Sequence, residues 1–169
     1  DLKNISYAPD MIFSYLLPKV ERNHTIGISC ICNNNRIGLS KYNEKNYIDF
    51  LVELCNMYIE KGYNVALYSF CIMQKDSVAM QKIFNKIKNK EQVSMIEYNG
   101  DTNSFLKDLL SCEYIIGTRF HSIVLALNAG IPVFPIIYNI KTKNLLTDLN
   151  FLGHYVTIED CNNIDFEFV

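Results

Sequence analysis

The sequence predicts an α/β sandwich in which helices cover both faces of a mostly parallel sheet of about six strands. Two observations predict it. Short apolar runs recur along the chain, and each is followed by a longer stretch whose apolar residues return at the helical period. Strands separated by whole helices pair in parallel through right-handed crossovers, because a tight turn cannot join parallel neighbours.

The elements follow in chain order. Residues 1–23 read as a connector: Tyr7-Ala8-Pro9-Asp10 is a turn, 11–17 a short apolar piece and 18–23 a polar link. The domain is expected over 24–169. Its first strand is 25–32, followed by a polar loop, 33–41, that carries Arg36 and Gly38. A helix over about 43–61 places Ile48, Leu51, Val52, Cys55, Tyr58 and Ile59 on one side, and Gly62 closes it. The second strand is 63–70. Asp76 is expected to cap a helix reaching about Lys90, with Val78, Ile83, Phe84 and Ile87 inward. After a third strand, 93–97, the turn Asn99-Gly100-Asp101 leads into a helix with the stripe Phe105, Leu106, Leu109 and Leu110.

The most informative stretch comes next. Tyr114-Ile115-Ile116 is a strand closed by Gly117-Thr118, and Phe120, Ile123, Val124 and Leu127 begin a helix at once. Thr118 is the expected N-cap and Gly130 the expected C′ residue, with Pro132 beyond it. A strand over 131–138 ends at Tyr138. Lys141 then opens a helix carrying Leu145, Leu146 and Leu149, and a short last strand lies at 155–158.

Composition excludes several classes of function. The 16 Lys and Arg nearly balance the 18 Asp and Glu, for a net charge of −2, where a nucleic-acid binder would show a basic face. Lys82, Lys86, Lys88 and Lys90 read as a solvated helix face, since no aromatic platform interleaves with them. No apolar run reaches the roughly 18 residues of a membrane span, and no signal-peptide pattern opens the chain. Six cysteines lack the Cys-x-x-Cys spacing of a zinc site; they are expected to be buried free thiols of a reducing cytoplasm. The first strand is followed by NNNRIG rather than by G-x-G-x-x-G, and no Walker, H-E-x-x-H or G-x-S-x-G motif occurs.

What chemistry the residues do carry lies at Arg119 and His121. In an open parallel sheet, ligands bind at the carboxyl ends of strands, where a helix N-terminus presents unpaired N–H groups. Arg119 and His121 fall in the first turn of such a helix, with Gly117 and Thr118 in the preceding turn, and together they form a candidate site for a phosphate or carboxylate. Tyr138 and Lys141 form a second anchor after the next strand. His24 and His154 read as surface or packing residues.

The same residues carry a resemblance. The run GTRFHSIVLALNAGIPVFPIIYNIKTKNLLTDL, with Arg119-x-His121, Gly130-x-Pro132, Tyr138 and Lys141 in order, resembles the polysaccharide pyruvyl transferase family. The likeness extends back through NGDTNSFLKDLLSCEYIIG and Gln74-x-Asp76, and covers most of 24–150. Phe120 stands where the family usually has Leu.

The resemblance implies a Rossmann-like domain that is the carboxyl-terminal, donor-binding half of a GT-B-like enzyme with two halves, the amino-terminal half being absent from this chain. It implies phosphoenolpyruvate as donor, bound by Arg119, the helix N-terminus and Lys141, with His121 as general acid and Arg36 as the nearest counterpart of a further family arginine. The acceptor would be a sugar or polysaccharide precursor held mainly by the other half, and the product a pyruvate ketal. No metal or cofactor is called for. Two other functions fit the fold: the donor domain of a nucleotide-sugar glycosyltransferase, and a non-catalytic binding domain.

Overall fold

The computed structural model describes residues 8, 10–32, 43–164, 166 and 169. Its core is a six-stranded sheet in the order β3-β2-β1-β4-β5-β6. The strands are β1 (Asn23–Ser29), β2 (Asn64–Ser69), β3 (Val93–Glu97), β4 (Cys112–Gly117), β5 (Val133–Ile137) and β6 (Val156–Thr157). Every pairing is parallel. The helices are α1 (Glu44–Glu60), α2 (Asp76–Lys86), α3 (Thr102–Leu110), α4 (Phe120–Asn128) and α5 (Ile140–Asp148), so the Rossmann-like three-layer sandwich is present.

Alternation along the central strands divides the core. Ile26, Ile28, Val65, Leu67 and Ile116 pack with α1 and α2 on one face. Ala66, Tyr68 and Ile115 pack with α3, α4 and Leu146 of α5 on the other. Strands buried on both faces are apolar almost throughout, which is why they are visible as runs in the sequence. Gly27 has a packing reason: a Cβ there would lie 2.6 Å from Ile115 Cδ1 and 2.9 Å from Cys112 Sγ. Gly62 and Gly130 close α1 and α4 with φ of 90° and 61°, a backbone state that strains other residues.

Several boundaries differ from expectation for local reasons. Asp76 does not cap α2. Lys75, in the left-handed region at φ 57°, is the flanking residue, and Asp76 is the first helical residue with its carboxylate turned inward. That helix stops at Lys86, because Ile87 leaves it in an extended conformation to bury its side chain. Val78 is exposed, and Ala79, Met80 and Ile83 form the buried stripe. Leu149 lies past the end of α5 and is exposed. Tyr138 falls one residue beyond β5.

The lysines of α2 are neutralised locally, as a solvated face requires. Lys82 pairs with Glu44 at 2.9 Å and Lys86 with Asp49 at 2.6 Å. Lys90 lies over the Phe84 ring. All six cysteines are free, and burial pushes the Cys55 thiol up to about 12, so it stays protonated and packs as a small apolar group. His24 stacks on Tyr63 and pairs with Glu113 at the amino end of the sheet, away from the carboxyl ends of the strands. Among the described residues no helix is long and apolar enough to cross a membrane.

Candidate active site

The strand order reverses between β1 and β4, and the crevice outside their carboxyl ends is where ligands of open α/β sheets bind. Gly117-Thr118-Arg119 leaves β4 there and enters α4. Ser29, the last residue of β1, fixes this turn: its Oγ accepts from Thr118 N at 3.0 Å and from Arg119 N at 3.2 Å. Ser122 Oγ donates to Arg119 O at 2.7 Å, so its proton is committed. Ser29 must therefore be the donor in the 2.7 Å contact between the two hydroxyls. All of Ser29's hydrogen-bonding capacity is then used, and the turn has one geometry.

Thr118, the expected N-cap, has another role. Arg119 takes the flanking position of α4 without a side-chain cap, while Thr118 Oγ1 is buried 2.9 Å from the Tyr47 hydroxyl. Tyr47 OH in turn accepts from Ile31 N at 3.2 Å, joining α1, the end of β1 and the β4 turn. Tyr47→Phe keeps the ring and strands these two partners in a dry interior, so it should cost about 1–3 kcal/mol of unfolding free energy in urea titration. Gly117 cannot carry a side chain, since a Cβ would stand 2.7 Å from Ile123 Cγ1 and 3.1 Å from Ser122 Oγ.

Arg119 does not stand open to solvent. Its Nε donates to Asp76 Oδ2 at 2.7 Å, its Nη2 to Asp76 Oδ1 and its Nη1 to Gln74 Oε1. Burial alone would lower its pKa; the Asp76 hydrogen bonds and charge outweigh that and hold it above the ordinary arginine value. Three of the five guanidinium N–H bonds are engaged in this way, which fixes the orientation of the fork.

His121, by contrast, is at the surface. Its ring meets Phe120 edge-on, with centroids 5.6 Å apart, and lines a cavity of about 520 Å³ with Ile12, Tyr15, Phe70, Tyr98 and Phe105. Partial burial against these groups lowers its pKa below the usual histidine value. The charges of Lys141 and Arg119 lower it further, while Asp10 opposes them. Lys141, in the first turn of α5, sits 3.6 Å from the Phe120 ring centroid and 3.5 Å from Asp10 Oδ2. Tyr138 is half-buried within electrostatic reach of Arg119.

Arg119, His121, Lys141 and Tyr138 are thus gathered at the carboxyl ends of β4 and β5. The N–H groups of Phe120 and His121 have no acceptor among the described residues. Arg36 lies outside the described residues. Among those described, no group of three or more His, Cys, Asp or Glu side chains is arranged to hold a metal. Sequence reasoning missed Ser29, Tyr47 and Ser122. Only Ser29 carried a signal, a polar residue between Ile28 and Cys30 at the end of an apolar strand, where a buried hydroxyl must find partners; Tyr47 and Ser122 lie inside helices and carried none.

The family model for polysaccharide pyruvyl transferase matches residues 1–140. The chain is similar to the amylovoran biosynthesis protein AmsJ of Erwinia amylovora, 28% identical over 123 residues, a match covering 69% of this chain and 28% of that protein. The chain therefore corresponds to a part of that relative's length. No solved structure matches it.

Proposed function

This chain belongs to the polysaccharide pyruvyl transferase family, and on that premise we propose that it forms the donor site for transfer of the enolpyruvyl group of phosphoenolpyruvate to a sugar of a cell-surface polysaccharide. The observation that carries the proposal is the group of Arg119, His121 and Lys141 around the α4 N-terminus. A compact trianion with a phosphate and a carboxylate matches such a cluster of cations and of N–H groups that have no acceptor among the described residues.

In the proposed reaction His121 donates its proton to C3 of phosphoenolpyruvate, turning the methylene into a methyl and leaving a cationic C2. One sugar hydroxyl adds to C2, the C2–O bond to phosphate breaks, and a second hydroxyl of the same sugar closes the ketal. The hydroxyls release two protons; one balances the proton gained at C3 and the other leaves with phosphate. Arg119 and Lys141 hold the anion and stabilise the phosphate as it departs. The biosynthetic role in the name of AmsJ agrees with a polysaccharide acceptor.

The lowered pKa of His121 sets a pH dependence. Bound phosphoenolpyruvate adds negative charge beside the imidazole and raises its pKa, so binding takes up a proton. Affinity should be highest below the pKa of the free protein and fall as pH rises through the pKa of the complex. Calorimetry in buffers of different ionisation enthalpy reads the proton uptake directly.

The chemistry itself is tested by running the transfer in deuterium oxide. Proton donation to C3 requires a ketal methyl carrying one deuterium. A product that retains the intact vinyl group, or transfer from a nucleotide sugar in its place, would refute the proposal.

A further inference from the structure

We infer that Asp76 is a positioning residue for the transferase, aiming Arg119 at the donor anion from across the end of the central strand. The inference rests on the donor site proposed above. Arg119 follows β4 and Asp76 opens the helix after β2, and β1 lies between these strands. Their ion pair therefore spans the carboxyl end of β1, with Cys30 beneath it: Cys30 Sγ lies 3.8 Å from Asp76 O.

The carboxylate is built to hold one geometry. Asp76 is fully buried, receives Nε and Nη2 of Arg119 on its two oxygens, and takes Cys71 N at 3.1 Å on Oδ2. Gln74 takes Nη1. The chain enters α2 through Lys75 in the left-handed region, which turns Asp76 inward where a helix start would ordinarily keep an acidic side chain for its own N–H groups. A guanidinium held on three N–H bonds has its remaining two fixed in direction, and a planar fork misaimed by a fraction of an ångström loses the bidentate match to an anion.

A second consequence reaches His121. Arg119, Lys141 and Asp10 are the charges that act on it, and Asp76 neutralises the first of them. Asp76 thus sets the direction of the anion-binding fork and offsets, through its pair with Arg119, one of the charges that bear on the proton donor, without touching substrate.

The test uses Asp76→Asn and Gln74→Ala in the whole protein, with two readouts: phosphoenolpyruvate affinity by calorimetry, and the titration midpoint of the His121 ring by NMR without ligand. Asp76→Asn should weaken phosphoenolpyruvate binding by about ten-fold or more, as expected when a charge-assisted bond is misdirected. It should also move the His121 midpoint downward, because Arg119 loses its counter-charge. Gln74→Ala buries no new charge and should fold, and it should weaken binding by a smaller factor. A residue of structural importance alone would lower the melting temperature and move neither readout.

Unchanged or tighter binding in both variants overturns the inference, as does a His121 midpoint that stays in place in Asp76→Asn. Should Asp76→Asn not fold, Gln74→Ala decides on affinity alone. Should the parent protein take no phosphoenolpyruvate, the proposed donor site fails, and the ligand-free His121 midpoint still decides the part played by Asp76.

Discussion

Alanine at His121 is expected to reduce ketal formation by about 10²–10⁴-fold, the range a positioned general acid contributes, with a far smaller loss of phosphoenolpyruvate affinity. The separation of the two effects follows from position. The imidazole is exposed at the mouth of an apolar cavity, and its truncation opens no void in the core. Unfolding free energy should stay within about 0.5 kcal/mol of the parent. Anion binding retains Arg119, Lys141 and the α4 N-terminus, so donor still binds and the missing step is the proton transfer to C3. Single-turnover rates beside calorimetry on the same preparations separate the two. An alanine variant that transfers at the parental rate would move the proton donor elsewhere.

Methionine at Arg119 is expected to lower stability by about 3–5 kcal/mol, the cost of leaving one member of a buried ion pair alone. Asp76 is fully buried and the Arg119 side chain is 10% exposed, so water cannot replace the lost partner. The double change Arg119→Met with Asp76→Leu removes both charges and should recover most of that loss, since an apolar pair of similar volume is often no less stable than the ion pair. It should not recover phosphoenolpyruvate binding. Urea unfolding of the single and double variants measures the first statement and calorimetry the second. If the single variant unfolds like the parent, the Arg119–Asp76 pair is not the buried lock described here.

These two residues also mark how far the sequence could be read. Strands and helices were legible because burial on both faces makes β1, β2, β4 and β5 apolar and because α1 and α3 each show one clear stripe; Phe105, Leu106, Leu109 and Leu110 all lie in the core as their spacing required. The place of His121, Arg119, Lys141 and Tyr138 at neighbouring strand ends followed from the strand-turn-helix order alone. What the sequence could not show was which way Asp76 and Thr118 point. Both have the chemistry of helix caps, and local propensity favours that use. Tertiary partners 43 and 71 residues away, Arg119 and Tyr47, take them instead. Ser29 and Ser122 were hidden for the same reason: their partnership spans 93 residues and has no local signature.

A helix N-terminus beside a histidine favours a lowered pKa through its dipole. In the structure the lowering comes first from partial burial and then from Lys141, a residue of the next βα unit. Lys141 itself is drawn toward Asp10, so the segment before β1 reaches the site through this contact.

Titration of phosphoenolpyruvate into the protein by calorimetry, with inorganic phosphate and UDP as comparison ligands, decides whether the Arg119 site holds the donor. Saturable phosphoenolpyruvate binding with proton uptake is expected, with weaker binding of phosphate, no competition from UDP, and loss of the signal in Arg119→Met. Binding of UDP without phosphoenolpyruvate would contradict that expectation and make the domain a nucleotide-sugar site.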